Sequence, residues 1–273
     1  MTCSTNEYER SGLSNTLALW DAKGTTERNA MCVTLHAETK PQKRVGVRGF
    51  TLAEVLITLG IIGVVAALTI PTLMQKIDER ETVSKVKKIY TVMNNAYENY
   101  IADNGVPNFD SSLRTTSEGA EKAFEIFRPY LKITKDCGTG NGTACGMVLD
   151  YKNKNGEDAS TEFATDASRY KVLLTDGTPL WLNTGWNFYT ISFDINGKKG
   201  PNKYGTDVFV FYFKDRNFYA GGHPAIGGTS TFDTGCASED AVGHACAAWV
   251  VYKGNMEYLK CNDLSWNGKQ KCD

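Results

Sequence analysis

Between Val55 and Met74 the chain runs for about 20 residues without one charged side chain. At 1.5 Å of rise per residue a helix of that length spans about 30 Å, the hydrocarbon thickness of a bilayer. The mean hydropathy of the whole chain, −0.34, conceals this stretch because the remainder is polar. Lys40, Lys43, Arg44 and Arg48 precede the run. The positive-inside rule keeps that flank cytoplasmic and sends everything after Met74 outside. A cleaved secretory signal has a shorter apolar core followed by small residues, whereas this run continues directly into an amphipathic pattern. The reading is a retained, single-pass anchor.

Composition agrees with that topology. Cys137, Cys145, Cys236, Cys246, Cys261 and Cys272 all fall on the exported side, and an oxidising compartment makes three disulfides the expectation. Pairing sequence neighbours, 137 with 145, 236 with 246 and 261 with 272, is the simplest of the connectivities open to six cysteines. Cys3 and Cys32 stay cytoplasmic and reduced. A formal net charge of −1 supplies no basic face, so nucleic acid is not an expected partner.

Residues 1–49 are polar, lack apolar periodicity and read as a leader; Met31 is an alternative start, which would leave residues 1–30 outside the gene product. The predicted anchor covers 50–74, its amphipathic continuation 75–104, and the exported globular part 105–273. In the continuation Val83, Val86, Tyr90, Met93, Tyr97 and Tyr100 recur at steps of three and four, one helical face packed on a core. Asn104-Gly105 followed by Pro107 ends that helix. Residues 108–168 read as loop with a small helix at Glu121–Lys132. Strand patterns follow at Tyr170–Leu174, Leu180–Leu182, Asn187–Asp194 and Asp207–Phe213, giving an antiparallel sheet of about four strands. The Gly- and Cys-rich tail from Gly221 is expected to owe its order to disulfides.

At the head of the apolar run stands Arg48-Gly49-Phe50-Thr51-Leu52-Ala53-Glu54. It resembles the prepilin processing site of type IV pilins and type II secretion pseudopilins. The resemblance implies a cut after Gly49 by a prepilin peptidase, N-methylation of Phe50, and an assembly role for Glu54. Gly60, Gly63 and Pro71 match small and helix-bending positions of that family's helix. Glycine before the scissile bond lets backbone lie extended in a protease cleft. A carboxylate in an apolar helix is costly, about 2.5–3.5 kcal/mol for the Asp counterpart, and needs a partner. In the family that partner is held to be the new α-ammonium of Phe50 on a neighbouring subunit. The alternative for Glu54 is a side chain that snorkels to the interface. Pro71 removes one backbone hydrogen bond and offers either a bend for subunit packing or an ordinary tolerated proline.

A second motif, Asp194 to Asp207, lies between two strong strands and is dense in Asn, Asp and Gly. It reads either as a loop braced by side-chain-to-backbone bonds or as a Ca2+ site using Asp194, Asn196, Asn202 and Asp207. It is not an EF-hand, because no bidentate Glu closes it; related pseudopilins carry a calcium loop in the same region. His244 beside Cys246 hints at metal, but an exported cysteine favours a disulfide. Asn141-Gly142-Thr143 fits a glycosylation sequon and is taken as chance. No nucleophile elbow, phosphate-binding loop, His-Glu-x-x-His or carboxylate pair is present, so no catalytic residue is nominated.

The overall expectation is an α+β, pilin-like fold: a long N-terminal helix on an antiparallel sheet with a disulfide-stapled end. The resemblance implies a non-enzymatic subunit of a periplasmic fibre in a type II secretion system, anchored in a bacterial inner membrane with its N-terminus cytoplasmic. Its implied partners are other pilin-like subunits, the prepilin peptidase, the secretion platform, outer-membrane machinery and inner-membrane lipid. A soluble part larger than that of a simple major pseudopilin suits a minor or tip subunit, although Glu54 also suits a major one. The alternatives are a surface type IV pilin acting in adhesion or DNA uptake, and an anchored enzyme.

Overall fold

The structure, a computed structural model, describes residues 49–108, 110–159, 162–185, 188–227 and 231–273. The leader, with Lys40, Lys43, Arg44, Arg48, Met31, Cys3 and Cys32, lies outside the described residues, as does Asn187 of the third predicted strand. The chain divides into two units, Met1–Val55 and Leu56–Asp273. Of the first unit, residues 49–55 are described and form the entry to a helix.

That helix, α1, is assigned from Leu52 to Asn104 and stays continuous through Pro71. Pro71 has no N–H for the carbonyl of Ala67, and two threonine hydroxyls beside it bond to neighbouring carbonyls. Thr69 donates to the carbonyl of Val65 (2.9 Å), and Thr72 donates to that of Thr69 (2.9 Å). From Leu56 to Ile77 the large apolar side chains are exposed. Beyond them the stripe anticipated from spacing goes inside: Val86, Met93 and Tyr97 are fully buried, and Val83, Tyr90 and Tyr100 pack at its margin. Gly105, at φ 79°, closes the helix by donating to the carbonyl of Ile101.

The sheet has six antiparallel strands in sequence order: β1 (Ile133–Gly138), β2 (Tyr170–Leu174), β3 (Pro179–Thr184), β4 (Tyr189–Asp194), β5 (Val208–Lys214) and β6 (Asn217–Ala220). The four central strands correspond to the sequence patterns; β1 and β6 are additional edges. β1 carries Lys135, Asp136 and Gly138, and its register against β2 shifts twice, so no alternation marks it. β6 has four residues and is defined by pairing, Phe213 opposite Phe218.

Both faces of the sheet are covered. On β5, Phe209, Phe211 and Phe213 join the core beneath α1, while Val208, Val210 and Tyr212 join a second cluster with Trp181, Tyr151 and Phe163. Burial on both sides explains why β5 is apolar and aromatic at successive positions. The small helix sits earlier than expected: α2 is Ser117–Glu125, begun by Thr116 accepting from the Gly119 N–H, and Arg128–Tyr130 form a separate 3-10 turn. Pro129 breaks the continuous segment that had been drawn to Lys132.

The tail is more regular than its composition suggests. Helix α3 (Ala247–Lys253) buries Trp249, which stacks on Phe232 with ring centroids 4.1 Å apart and donates its indole N–H to Asn255 (2.8 Å). Disulfides join Cys137 to Cys145, Cys236 to Cys246 and Cys261 to Cys272. Cys236 and Cys246 are fully buried.

Candidate functional site

Gly49 and Phe50 precede the helix, and Phe50 is 87% exposed. A Cβ placed on Gly49 would meet no heavy atom within 4 Å, so packing in this chain alone does not require glycine there. Glu54 caps its own helix. Its Oε2 accepts from the Thr51 N–H (2.8 Å) and the Thr51 hydroxyl (2.9 Å), while the Thr51 hydroxyl accepts from the Glu54 N–H (3.2 Å). This is a reciprocal capping box, and its signal, Thr followed three residues later by Glu, is plain in the sequence. Both carboxylate bonds fall on Oε2, which leaves Oε1 directed to no donor among the described residues.

The Asp194–Asp207 loop folds around its two aspartates. Asp194, at the end of β4, is fully buried, and its Oδ1 accepts from the backbone N–H groups of Asn196 (3.1 Å) and Gly197 (2.9 Å). Asp207, just before β5, accepts from the N–H groups of Asn202 (2.8 Å) and Lys203 (2.6 Å). Burial pushes the Asp194 carboxyl up to about 7, opposed by its backbone donors and aided by the nearby Asp207 charge. Burial likewise raises Asp207. Asn202, at φ 53°, turns its side-chain amide toward the carbonyls of Gly197 and Lys199, which it reaches as a donor when the amide nitrogen is set on that side (2.9 and 3.2 Å). Asn196 Oδ1 is buried and has no hydrogen-bond donor.

This arrangement braces the loop without help, and it also suits a hard cation. Two buried carboxylates, an amide oxygen lacking a donor and adjacent carbonyls are the oxygen chemistry Ca2+ takes. Among the described residues no group of three or more His, Cys, Asp or Glu gathers as a metal site, so carbonyl and amide oxygens would have to complete the set. His244 belongs to packing: its ring meets Tyr204 edge-on at 4.2 Å, Cys246 is in a disulfide, and burial lowers the imidazole to about 4.

Residues 44–70, covering Gly49, Phe50 and the first part of α1, match the family model described as "Prokaryotic N-terminal methylation motif". The chain carries a prepilin-type methylation motif. It is also similar to the "Type II secretion system core protein G" of Escherichia coli (strain K12), 36% identical over 81 residues. Those residues are 29% of this chain and 49% of that protein, so the match spans about half the length of the relative. No solved structure matches. From Leu52 onward the motif lies on a helix long and apolar enough to cross a membrane. Gly49, Phe50 and Glu54 all lie inside the matched stretch, whereas the sheet and the aspartate loop lie beyond the motif.

Proposed function

We propose that this prepilin-type chain is a structural pseudopilin of a type II secretion system. A prepilin peptidase cuts it after Gly49 and methylates Phe50, and the mature subunit packs helix to helix into a periplasmic fibre. Its N-terminal side faces the cytoplasm before cleavage, and Leu56–Asp273 continues from the membrane into the periplasm. The observation that carries this reading is Glu54, a carboxylate in the first turn of α1, directly ahead of its apolar, exposed stretch. It caps its own helix through Oε2 and keeps Oε1 for the α-ammonium of Phe50 on a neighbour. Pro71 provides a locally weakened turn where the helix can adjust as subunits pack. The similarity to a secretion core protein supports this reading over a surface pilus. Catalysis resides in the peptidase, not in this chain.

The test is the intact mass of protein extracted from membranes. Loss of residues 1–49 plus one methyl group on Phe50 is expected; an uncut chain overturns the reading. Cross-linking to other pilin-like subunits, the secretion platform and outer-membrane components then tests the partners.

The aspartate loop is proposed as a calcium site within the same subunit, held by Asp194, Asn196, Asn202 and Asp207. When bound, the cation supplies positive charge that keeps both buried carboxylates ionised and fixes the loop. Support comes from the orphaned Asn196 Oδ1 and the raised carboxyls. Millimolar Ca2+ is expected to release heat on titration and raise the melting temperature; neither effect, or equal effects with Mg2+, refutes it.

A further inference from the structure

Just beyond the apolar run, α1 carries five cations, Lys76, Arg80, Lys85, Lys87 and Lys88, and they divide by face. Lys85 pairs with Glu81 (2.8 Å) and Lys88 with Asp176 (2.9 Å). Lys76, Arg80 and Lys87, spaced by four and seven residues, fall within about 40° of one another around the helix. All three are exposed, and none has an acidic partner among the described residues. They line one groove, whose far wall is formed by the segment after α3. The acids in that groove are already engaged: Glu79 accepts from the Met256 N–H (2.8 Å) and Lys260, and Glu257 pairs with the same Lys260. Four cations line the groove, Lys76, Arg80, Lys87 and Lys260, against two carboxylates, Glu79 and Glu257, so the local field on this face is positive.

We propose that this face binds the phosphate of an anionic phospholipid headgroup, with Lys76 and Arg80 as the contacting residues and Lys87 extending the positive field. This rests on the membrane topology proposed above. If Val55–Met74 fills the hydrocarbon core, the Lys76 backbone lies about 3 Å beyond it, inside the headgroup layer. Arg80 lies about 9 Å beyond. Side chains on an α-helix lean toward its N-terminus, so the Arg80 guanidinium reaches back toward the membrane. Its planar fork suits two phosphate oxygens at once, while the Lys76 ammonium adds a compact charge. A free phosphate ion offers the same chemistry, but the position at the end of the apolar run favours the lipid.

The test uses the full chain reconstituted in phosphatidylcholine vesicles with a minority of phosphatidylglycerol. Lipid retained on the gently extracted protein is counted by mass spectrometry. Phosphatidylglycerol is expected to be enriched over its bulk fraction, and the Lys76→Gln/Arg80→Gln variant is expected to lose about tenfold of that enrichment. Lys85→Gln, on the opposite face, is expected to leave it unchanged. Inorganic phosphate should not displace the lipid; displacement at low millimolar concentration marks a free-anion site and overturns the lipid assignment. Equal enrichment in wild type and double variant overturns it too. So does loss of subunit cross-linking in the double variant with enrichment intact, which would assign the face to a second copy. Entry into the bilayer without enrichment sinks the site alone, whereas failure to enter sinks the topology and the site together.

Discussion

Glu54 shows how one side chain can hold a local role and a proposed intermolecular one. Gln can close the same capping box with Thr51 but carries no charge. Glu54→Gln should therefore leave cleavage and helix content intact while weakening subunit association, and Glu54→Ala should lose the cap as well, about 0.5–2 kcal/mol. Removing one member of a buried ion pair costs about 3–5 kcal/mol, so cross-linked oligomer from Glu54→Gln should fall by about a hundredfold or more. Unchanged oligomer yield would confine Glu54 to its cap. Asp194 gives a pH signature. Its carboxyl is raised to about 7 in the folded chain, against about 3.9 unfolded, so the folded state holds the extra proton between those values. Its contribution to stability is thus fully present below the unfolded value and lost as pH rises through about 7. Without Ca2+, the melting temperature should drop between pH 5 and 8 in wild type and drop less in Asp194→Asn, read by calorimetry in both.

Among the elements, β5 is buried from Val208 to Phe213. Phe211 is fully buried, with Phe193 at 4.7 Å and Tyr90 of α1 at 5.4 Å between ring centroids. Phe211→Ala should cost about 3–5 kcal/mol, measured by denaturant unfolding of the soluble part. The two C-terminal disulfides close loops of similar length, with sequence separations of 10 and 11, so loop entropy does not distinguish them. Burial does. Cys236 and Cys246 are sealed in the core, whereas Cys261 and Cys272 remain half-buried. Under graded reductant in native buffer, alkylation should label Cys261 and Cys272 first; simultaneous labelling would contradict that order. The central strands were legible because each is a run rich in β-branched, aliphatic or aromatic residues bounded by Gly, Pro, Asn or Asp, and β4 and β5 sustain theirs over five or more residues. β1 and β6 were not, since a bulged charged edge and a four-residue strand are defined by their neighbours rather than by their own pattern. α3 was hidden in the same way: seven residues within a Gly- and Cys-rich tail hold as a helix because Trp249 is packed against Phe232.

For the molecule as a whole, the buried core starts at Val86, while the large apolar residues from Leu56 to Ile77 are exposed. A chain beginning at Gln75 keeps every core residue, and its melting temperature should match that of the extracted full chain within a few degrees; a large drop would mean the apolar part supports the fold. The sequence alone determined the elements set by local chemistry. These are the membrane-length run, the methylation motif at its head, the helical stripe from Val83 to Tyr100 and the apolar and aromatic runs of the central strands, each written in a local pattern that needs no distant partner. Tertiary structure decided what depends on residues far apart in the chain. It added the edge strands, covered both faces of the sheet, and buried Asp194 and Asp207 together, where desolvation raises their carboxyls. It also separated the cations of α1 into a face neutralised by Glu81 and Asp176 and a face left positive, because the tail brings Lys260 into a groove whose cations outnumber its two acids, Glu79 and Glu257.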